Sequence, residues 1–124
     1  MGDLSKYFSK KKFKCQCGCG ICNVDEEFLY LLDSLRKFVD APIYINSGCR
    51  CPAHNKNEGG KKNSAHVTTK TKKCKGADIR TKKAKMFFLL LGAMLIFRRV
   101  GIAKTWIHVD NDKSKPQEVY WIYS

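Results

Sequence analysis

The sequence has no hydrophobic run long enough to cross a membrane. Its longest apolar run covers residues 86–97, whereas a membrane-spanning helix needs about 20 apolar residues. We therefore expect a buried core helix here, and because basic residues flank the run on both sides, an interfacial helix is the alternative. The first residues also lack an apolar stretch behind their charges, which predicts no secretory signal peptide and synthesis in the cytoplasm.

Acidic residues are scarce in this chain. Eleven Asp and Glu stand against 24 Lys and Arg, so the formal net charge is +13. This balance predicts an anionic partner, such as nucleic acid, an acidic wall polymer or a membrane surface. The basic residues are scattered along the chain and no zinc-finger spacing occurs, which makes a nucleic-acid-binding protein the least favoured class. We expect no specific nucleic-acid partner.

The length of 124 residues suits one domain, and no internal repeat is present. We expect a basic, loosely held N-terminal arm over residues 1–14 and a single domain over residues 15–124. Apolar spacing predicts an amphipathic helix from Val24 to Val39, with Asn23 as its N-cap and Glu26 completing a capping box.

A second helix is predicted from Lys82 to Arg99, which includes the apolar run and the basic residues that flank it. Short strands are predicted at 43–45, 76–79, 106–110 and 118–123, the third from its alternation of apolar and polar residues. Helices separated and followed by short strands indicate an α+β fold, in which a small antiparallel sheet packs against two main helices.

Only three histidines occur, His54, His66 and His108. Histidine is the commonest protein ligand of zinc, and a catalytic zinc takes three protein ligands. His66 in a loop, Asp78 after a run of small residues and His108 on a strand are chemically sufficient for such a site. The alternative is that each histidine is merely packed.

Several short motifs follow one another in a fixed order. They are Ile45–Asn55 (INSGCRCPAHN), Gly59-Gly60, Asn63–His66 (NSAH), Gly76–Ile79 (GADI) and Trp106–Asp110 (WIHVD). This ordered set, across residues 13–123, resembles the zinc D-Ala-D-Ala carboxypeptidase family of cell-wall peptidases, in particular its small phage and prophage members. The wider group includes L-alanyl-D-glutamate endolysins, and the hedgehog signalling domain shares its fold.

The resemblance implies a fold of the hedgehog/D-Ala-D-Ala peptidase type and a Zn²⁺ held by His66, Asp78 and His108. It also implies that Arg50 anchors a substrate carboxylate or peptide carbonyl, a role that suits the planar guanidinium. A structural ion pair is the alternative for Arg50. Ser64 matches a residue that hydrogen-bonds substrate or orients its loop, and His54 looks like a residue that braces its loop.

Two features depart from the family pattern. Eleven residues, 67–77, separate His66 from Asp78, more than the family usually places there. We expect this insertion to bulge outward, since longer surface loops cost little closure entropy. Its four lysines either hold an anionic wall polymer or belong to a solvated loop; they are Lys70, Lys72, Lys73 and Lys75.

The second departure concerns the general base. Relatives carry an acid or histidine two or three residues before the last ligand, where this chain has Thr105 and Trp106. Asp110 lies two residues after His108 and therefore on the same face of a strand. It is expected to serve either as the base or as a partner that fixes a histidine.

The seven cysteines cannot all form internal disulfides, because their number is odd. Six fall into two groups, Cys15, Cys17, Cys19 and Cys22 in the first and Cys49 and Cys51 in the second. A structural zinc drawing four thiolates from both groups, disulfides between the groups, and reduced thiols are the three interpretations left open. Cys74 is expected to be the odd one out.

The leading hypothesis is a zinc peptidase that hydrolyses a peptide bond in peptidoglycan stems or cross-links, of carboxypeptidase or endolysin type. We expect it to act on the cell wall after phage-mediated release, because a phage lysin needs no signal peptide. The alternative is a non-catalytic, zinc-stabilised cell-wall-binding module, which the missing acid before His108 favours.

Overall fold

A five-stranded sheet with helices against one face organises the chain. The computed structural model describes residues 2–82 and 85–123, and the following bounds refer to these ranges. The elements are α1 (Lys10–Phe13), α2 (Glu26–Val39), β1 (Ile45–Ser47), α3 (Pro52–Asn57), β2 (Gly76–Arg80), α4 (Met86–Ile96), β3 (Arg99–Ile102), β4 (Trp106–Asp110) and β5 (Val119–Ile122). The α+β fold predicted from the sequence is confirmed.

The strands lie in the order β1-β2-β4-β3-β5. The first four pair antiparallel as predicted, but β5 runs parallel to β3. The antiparallel pattern therefore does not extend to the last strand. After β4 the chain reverses and passes beyond β3 to the far edge of the sheet, and this crossover gives β5 the direction of β3.

One face of the sheet packs in the hydrophobic core, and the other carries polar side chains. Ala77 and Ile79 on β2, with Ile107 and Val109 on β4, are fully buried in a core shared with α2 and α4. Because side chains alternate along a strand, the residues between them point to the opposite face. Asp78 and His108 are direct cross-strand partners there.

The helix α2 begins two residues later than predicted, and its N-cap is Asp25 rather than Asn23. The Asp25 carboxylate accepts a hydrogen bond from the Phe28 N–H at 3.0 Å. Aspartate competes well for this position because it satisfies a free amide and favours the positive end of the helix dipole. The Asn23 side chain instead donates to the carbonyl of Thr69 at 3.0 Å, in the insertion.

The helix α4 is shorter and more exposed than predicted. Residues 83 and 84 of the predicted helix lie outside the described residues, and at the other end Arg99 belongs to β3, where it pairs with β4 and β5. Only one face, with Leu89 and Ala93, is buried against the body, while Phe87 is 74% exposed. The prediction of a buried core helix is wrong for the other faces, because α4 packs mainly against α2 and, less extensively, against β3. The interfacial alternative stays a prediction.

The described ranges contain no helix of the length and apolar character that a membrane span requires.

The N-terminal segment is not loosely held. Phe13 in α1 is fully buried, and Phe8 packs edge-on against it with 6.0 Å between ring centroids. The Cys49 N–H donates to the Phe13 carbonyl at 2.8 Å. Gly48 makes this approach possible, because a Cβ there would lie 2.9 Å from the same carbonyl oxygen. Residues 8–13 are therefore part of the folded body, since apolar burial outweighs the local excess of lysine.

Phe13→Ala tests whether this segment belongs to the core. We expect a loss of about 3–5 kcal/mol in the free energy of unfolding, because the change leaves a cavity under α1. Urea denaturation measures it. The control Phe87→Ala removes an exposed ring and should change the free energy of unfolding by less than about 0.5 kcal/mol. Equal stability of the two variants would contradict the placement of Phe13.

Candidate metal centre

Three predicted ligands, His66, Asp78 and His108, meet on the sheet face opposite α2 and α4. The carboxylate oxygen Oδ1 of Asp78 lies 3.1 Å from His66 Nε2 and 3.0 Å from His108 Nδ1. All three ligand atoms lie within 4.8 Å of one another, and all three residues are buried. The register of β2 and β4 brings Asp78 and His108 together, and the loop after α3 adds His66.

The outer nitrogens of both imidazoles have acceptors of their own. His66 Nδ1 lies 2.7 Å from the Gly48 carbonyl, and His108 Nε2 lies 2.7 Å from Asp110 Oδ2. In a neutral imidazole only one ring nitrogen carries a proton, and it is the one that faces the Gly48 carbonyl in His66 and Asp110 in His108. The other nitrogens, Nε2 of His66 and Nδ1 of His108, then each carry a lone pair. Two lone pairs and the Asp78 oxygen then converge on one point. Such a set requires a positive charge at its centre, and a divalent cation meets that need.

Protons on the imidazoles are the other way to supply positive charge to this cluster, and the pKa values show that the cluster favours it. Burial favours the neutral form of Asp78, but hydrogen bonds from His108 and His66 outweigh it and hold the pKa of the carboxyl below its usual range. For His108, burial lowers the pKa, yet hydrogen bonds to Asp110 and Asp78 outweigh it and raise the pKa. A nitrogen–oxygen–nitrogen donor set of this kind suits Zn²⁺.

Asp110 lies behind His108, on the side away from Asp78. It is 1% exposed, and besides His108 it accepts hydrogen bonds from Arg99 Nε at 2.9 Å and from the Asp112 N–H at 3.0 Å. These contacts fix the ring of His108 and keep its proton on Nε2. Of the two roles expected for Asp110, the geometry favours the partner that fixes a histidine over the catalytic base.

Arg50 also contacts the cluster. Its three nitrogens donate to Ser47 Oγ at 3.1 Å, to Asn55 Oδ1 at 3.4 Å and to Asp78 Oδ2 at 3.2 Å. The ion-pair alternative is therefore realised, with Asp78 as the partner. A guanidinium has five N–H donors, so two remain after these three bonds.

Ser64 and His54 have structural roles in the loops around the cluster. The His66 N–H donates to Ser64 Oγ at 3.2 Å, which fixes the turn that presents the His66 ring. His54 lies on α3 with Nε2 3.7 Å from Glu58 Oε1, and it does not join the metal cluster.

The insertion bulges outward as expected, and its base is closed by buried hydrogen bonds. Thr68 is fully buried and donates to the Lys72 carbonyl at 2.8 Å, while the Cys74 N–H donates to the Asn23 carbonyl at 2.7 Å. Residues 70–73 between these anchors are exposed. The insertion therefore does not keep His66 and Asp78 apart, and their side chains lie 3.1 Å from each other.

Three of its lysines border a cavity of about 500 Å³ beside the loop that carries His66. The lining includes Asp25, Asn63, Ala65, Lys72, Lys73, Lys75, Asp112 and Lys113. Lysines outnumber aspartates in this lining, so the cavity favours an anionic occupant.

An aromatic wall, Trp121 and Tyr123, flanks His108 and was not predicted. The Trp121 and His108 rings have centroids 5.7 Å apart, and the Tyr123 ring lies 6.2 Å from that of Trp121. Burial raises the pKa of Tyr123, and the negative charges of Asp78 and Asp110 add to this effect. The two rings lie over Gly101, where a Cβ would come within 2.7 Å of both. Alternation in the last predicted strand places the two rings on one face, but the sequence does not show which strand they border.

The cysteines divide into two groups that differ from those of the sequence. Cys15, Cys17, Cys19 and Cys51 have sulfurs within 4.8 Å of one another. Cys22 and Cys74 both interact with Cys49. Burial and the neighbouring Cys49 raise the pKa of Cys22 to about 12. Cys74 is thus buried beside Cys49 rather than isolated in the insertion.

Comparison with known protein families gives a match over most of the chain. The family model described as peptidase M15 matches residues 6–110. No curated protein and no solved structure is significantly similar to the chain. The matched range contains the three ligands and Asp110, whereas the aromatic wall lies beyond it.

Asp110→Asn tests the support of His108. We expect zinc affinity to fall by about 10–100-fold, because the amide cannot raise the basicity of the imidazole as a carboxylate does. Competition with a chromophoric chelator measures the affinity. The control Asp112→Asn keeps the backbone N–H on Asp110 and should bind zinc as the wild type does. Equal affinities in all three proteins would contradict the role given to Asp110.

Proposed function

Since this chain belongs to the peptidase M15 family, whose members are zinc-dependent, we propose that it hydrolyses a peptide bond of bacterial peptidoglycan. The observation that supports this best is the convergence of His66, Asp78 and His108, with acceptors fixing the far side of both rings. These three residues would hold the ion. When bound, zinc supplies Lewis-acid chemistry that polarises a peptide carbonyl.

Arg50 is the residue we propose for substrate binding. Ser47 and Asn55 hold its guanidinium at the edge of the cluster, and its two remaining N–H donors are available to a substrate carboxylate or carbonyl. Its contact with Asp78 Oδ2 keeps this positive charge beside the ligand cluster. In this proposal the ion pair and the substrate contact belong to one side chain.

The aromatic wall of Trp121 and Tyr123 limits the other side of the cluster. Arg99 stacks on Trp121 with 5.0 Å between its Cζ and the ring centroid, which keeps the indole in place. We assign to this wall the exclusion of water and the orientation of the stem peptide. Ser64 contributes indirectly, because it orients the His66 loop.

The lysines of the insertion are proposed to recruit the wall polymer. Lys72 and Lys73 are exposed and border the cavity beside the His66 loop. Their charge favours the anionic polymers of a bacterial wall and supplies attraction that added salt screens.

The bond class and the setting are finer proposals. We propose a carboxypeptidase or endolysin of phage type, which reaches the wall after phage-mediated release. This rests on the resemblance of the whole ordered set of motifs, from Ile45 to Asp110, to the small phage and prophage members of the family. The two bond classes differ in their products. A carboxypeptidase releases free D-alanine, whereas an endopeptidase leaves a new amino terminus on the peptide fragment that follows the cut bond.

A second candidate is a non-catalytic module that uses zinc for stability and binds the wall without cutting it. The position of Asp110 favours this candidate, because its carboxylate is already hydrogen-bonded to His108, Arg99 and the Asp112 N–H and is therefore less suited to act as a base. This candidate predicts that zinc binding and wall binding persist while every peptide bond stays intact.

His66→Ala tests the peptidase. We expect the zinc-loaded wild type to clear a peptidoglycan suspension and to release new termini. The variant should be slower by more than about 100-fold, because losing a ligand costs more than losing a residue behind one. Turbidity and terminal-residue analysis measure the rate and the bond.

The matched control is His54→Ala, which removes an imidazole outside the cluster and should keep its activity. Should the zinc-loaded wild type leave peptidoglycan intact across pH and salt while still binding it, the second candidate replaces the first.

The double variant Lys72→Ala/Lys73→Ala tests the recruitment of the polymer. We expect about 10-fold weaker binding to purified sacculi at low salt, with the difference disappearing as salt is added. Sedimentation of the sacculi measures the bound fraction. Lys11→Ala/Lys12→Ala removes the same charge from α1 and should bind nearly as the wild type does; an equal loss in both would mean that only net charge matters.

A further inference from the structure

The seven cysteines separate in space into a tetrad and a trio. The tetrad is Cys15, Cys17, Cys19 and Cys51, whose sulfurs all lie within 4.8 Å of one another. The trio is Cys22, Cys49 and Cys74, which pack in or against the hydrophobic core. Two members of the tetrad, Cys17 and Cys19, are exposed. Burial of apolar surface therefore explains the trio but not the tetrad.

We propose that Cys15, Cys17, Cys19 and Cys51 bind a structural zinc ion, separate from the one at His66, Asp78 and His108. Four thiolates are the complete ligand set of a structural zinc, which leaves no position open for water. The metal centre described above has three ligands and is the catalytic type. The two sites therefore differ in both the number and the chemistry of their ligands.

The distances between the sulfurs suit a tetrahedral ion. Cys15 and Cys17 have their sulfurs 3.5 Å apart, and Cys17 and Cys51 have theirs 3.6 Å apart. A zinc–sulfur bond of about 2.3 Å gives sulfur–sulfur edges of about 3.8 Å in a regular tetrahedron. A disulfide would join two of the sulfurs and leave the other two without a role, whereas one ion uses all four.

Three of the four cysteines lie on one short loop, and its backbone conformation lets their side chains point toward one place. Gly18 and Gly20 have φ values of +103° and +71°, in the left-handed region that glycine adopts without strain. A Cβ at either position would meet nothing within 4 Å, so the requirement is for conformation and not for space. Alternating glycine and cysteine thus lets the loop curl and direct Cys15, Cys17 and Cys19 toward Cys51.

Backbone amides also point at two of the sulfurs. The Cys51 N–H donates to Cys15 Sγ at 3.4 Å, and the His54 N–H donates to Cys51 Sγ at 3.4 Å. Cys51 is the N-cap of α3, and the bond from the His54 N–H is its capping hydrogen bond. These donors stabilise negative charge on sulfur, as a bound thiolate requires.

The site would fasten the N-terminal segment to the residues that carry Arg50. Cys51 follows Arg50 directly, and the Arg50 N–H donates to the His66 carbonyl at 2.8 Å. A zinc ion at the tetrad therefore holds the loop at residues 15–19, the start of α3 and the Arg50 turn in one arrangement. This inference does not depend on the proposed function, since the tetrad lies outside the ligand cluster.

Cobalt substitution and metal analysis test the proposal. We expect two zinc ions per chain in the full-length wild type, purified under reducing conditions. After replacement by Co²⁺, we expect the sulfur-to-cobalt charge-transfer absorption of a tetrathiolate site. Cys19→Ser should lower this absorption and bring the metal count to one. Cys19 is exposed, so the fold should survive the change, and circular dichroism checks that it does.

Two control variants separate the sites. Cys22→Ser alters the trio and should keep both the absorption and the count of two. His66→Ala should keep the sulfur-to-cobalt absorption while it weakens the other site, and a chelator should still lower its melting temperature. The proposal is overturned by an intact fold with free thiols and no metal at the tetrad, by a disulfide among these four cysteines in the mass spectrum, or by iron in place of zinc.

Discussion

The carboxylate of Asp78 is the group on which the arrangement of the site depends. Its Oδ1 faces His66 and His108, and its Oδ2 faces Arg50, so one buried side chain contacts three others from different parts of the chain. Burying a carboxylate is costly unless its oxygens are paired. Here the cost is offset by groups that themselves need a negative neighbour. The same pairing makes the cluster a candidate metal site, because two imidazole lone pairs can meet this oxygen at one point.

The sheet provides the rigid frame for this interaction. Direct pairing of Asp78 with His108 across β2 and β4 sets their separation, and a slip of either strand by one residue would turn its own ligand toward the core. His66 and Arg50 come from loops, yet each is held by the other, since the Arg50 N–H donates to the His66 carbonyl. The proposed tetrathiolate site would stabilise the turn that carries Arg50, because Cys51 follows Arg50 directly. Catalytic and structural parts would then share one short stretch of chain around Arg50.

Asp110 is the acid nearest in sequence to His108, in a chain that has Thr105 and Trp106 at the positions before that histidine. The sequence offers no acid immediately before His108, so Asp110 is the nearest alternative. In the structure Arg99 and the Asp112 N–H hold it behind the ring, where it orients the imidazole and does not reach the far side of the cluster. The aromatic wall, with Trp121 on β5 and Tyr123 just after it, meanwhile lies close to His108, although it falls outside the range matched by the family model. The candidate ligands thus lie inside the range that the family model matches, and the aromatic wall beside them lies outside it.

The sequence alone determined the α+β class and the approximate positions of α2, β2 and β4, and it marked His66, Asp78 and His108 as candidate ligands, which the structure brings together. Helical spacing, strand alternation and ordered motifs are local patterns, and they survive folding. The tertiary structure alone decided that α1 joins the core, that Asp25 caps α2 and that Arg99 leaves the helix for β3. It also decided which four of the seven cysteines converge and where Trp121 and Tyr123 lie. These outcomes depend on contacts between residues far apart in the chain, where burial and pairing outweigh local preference.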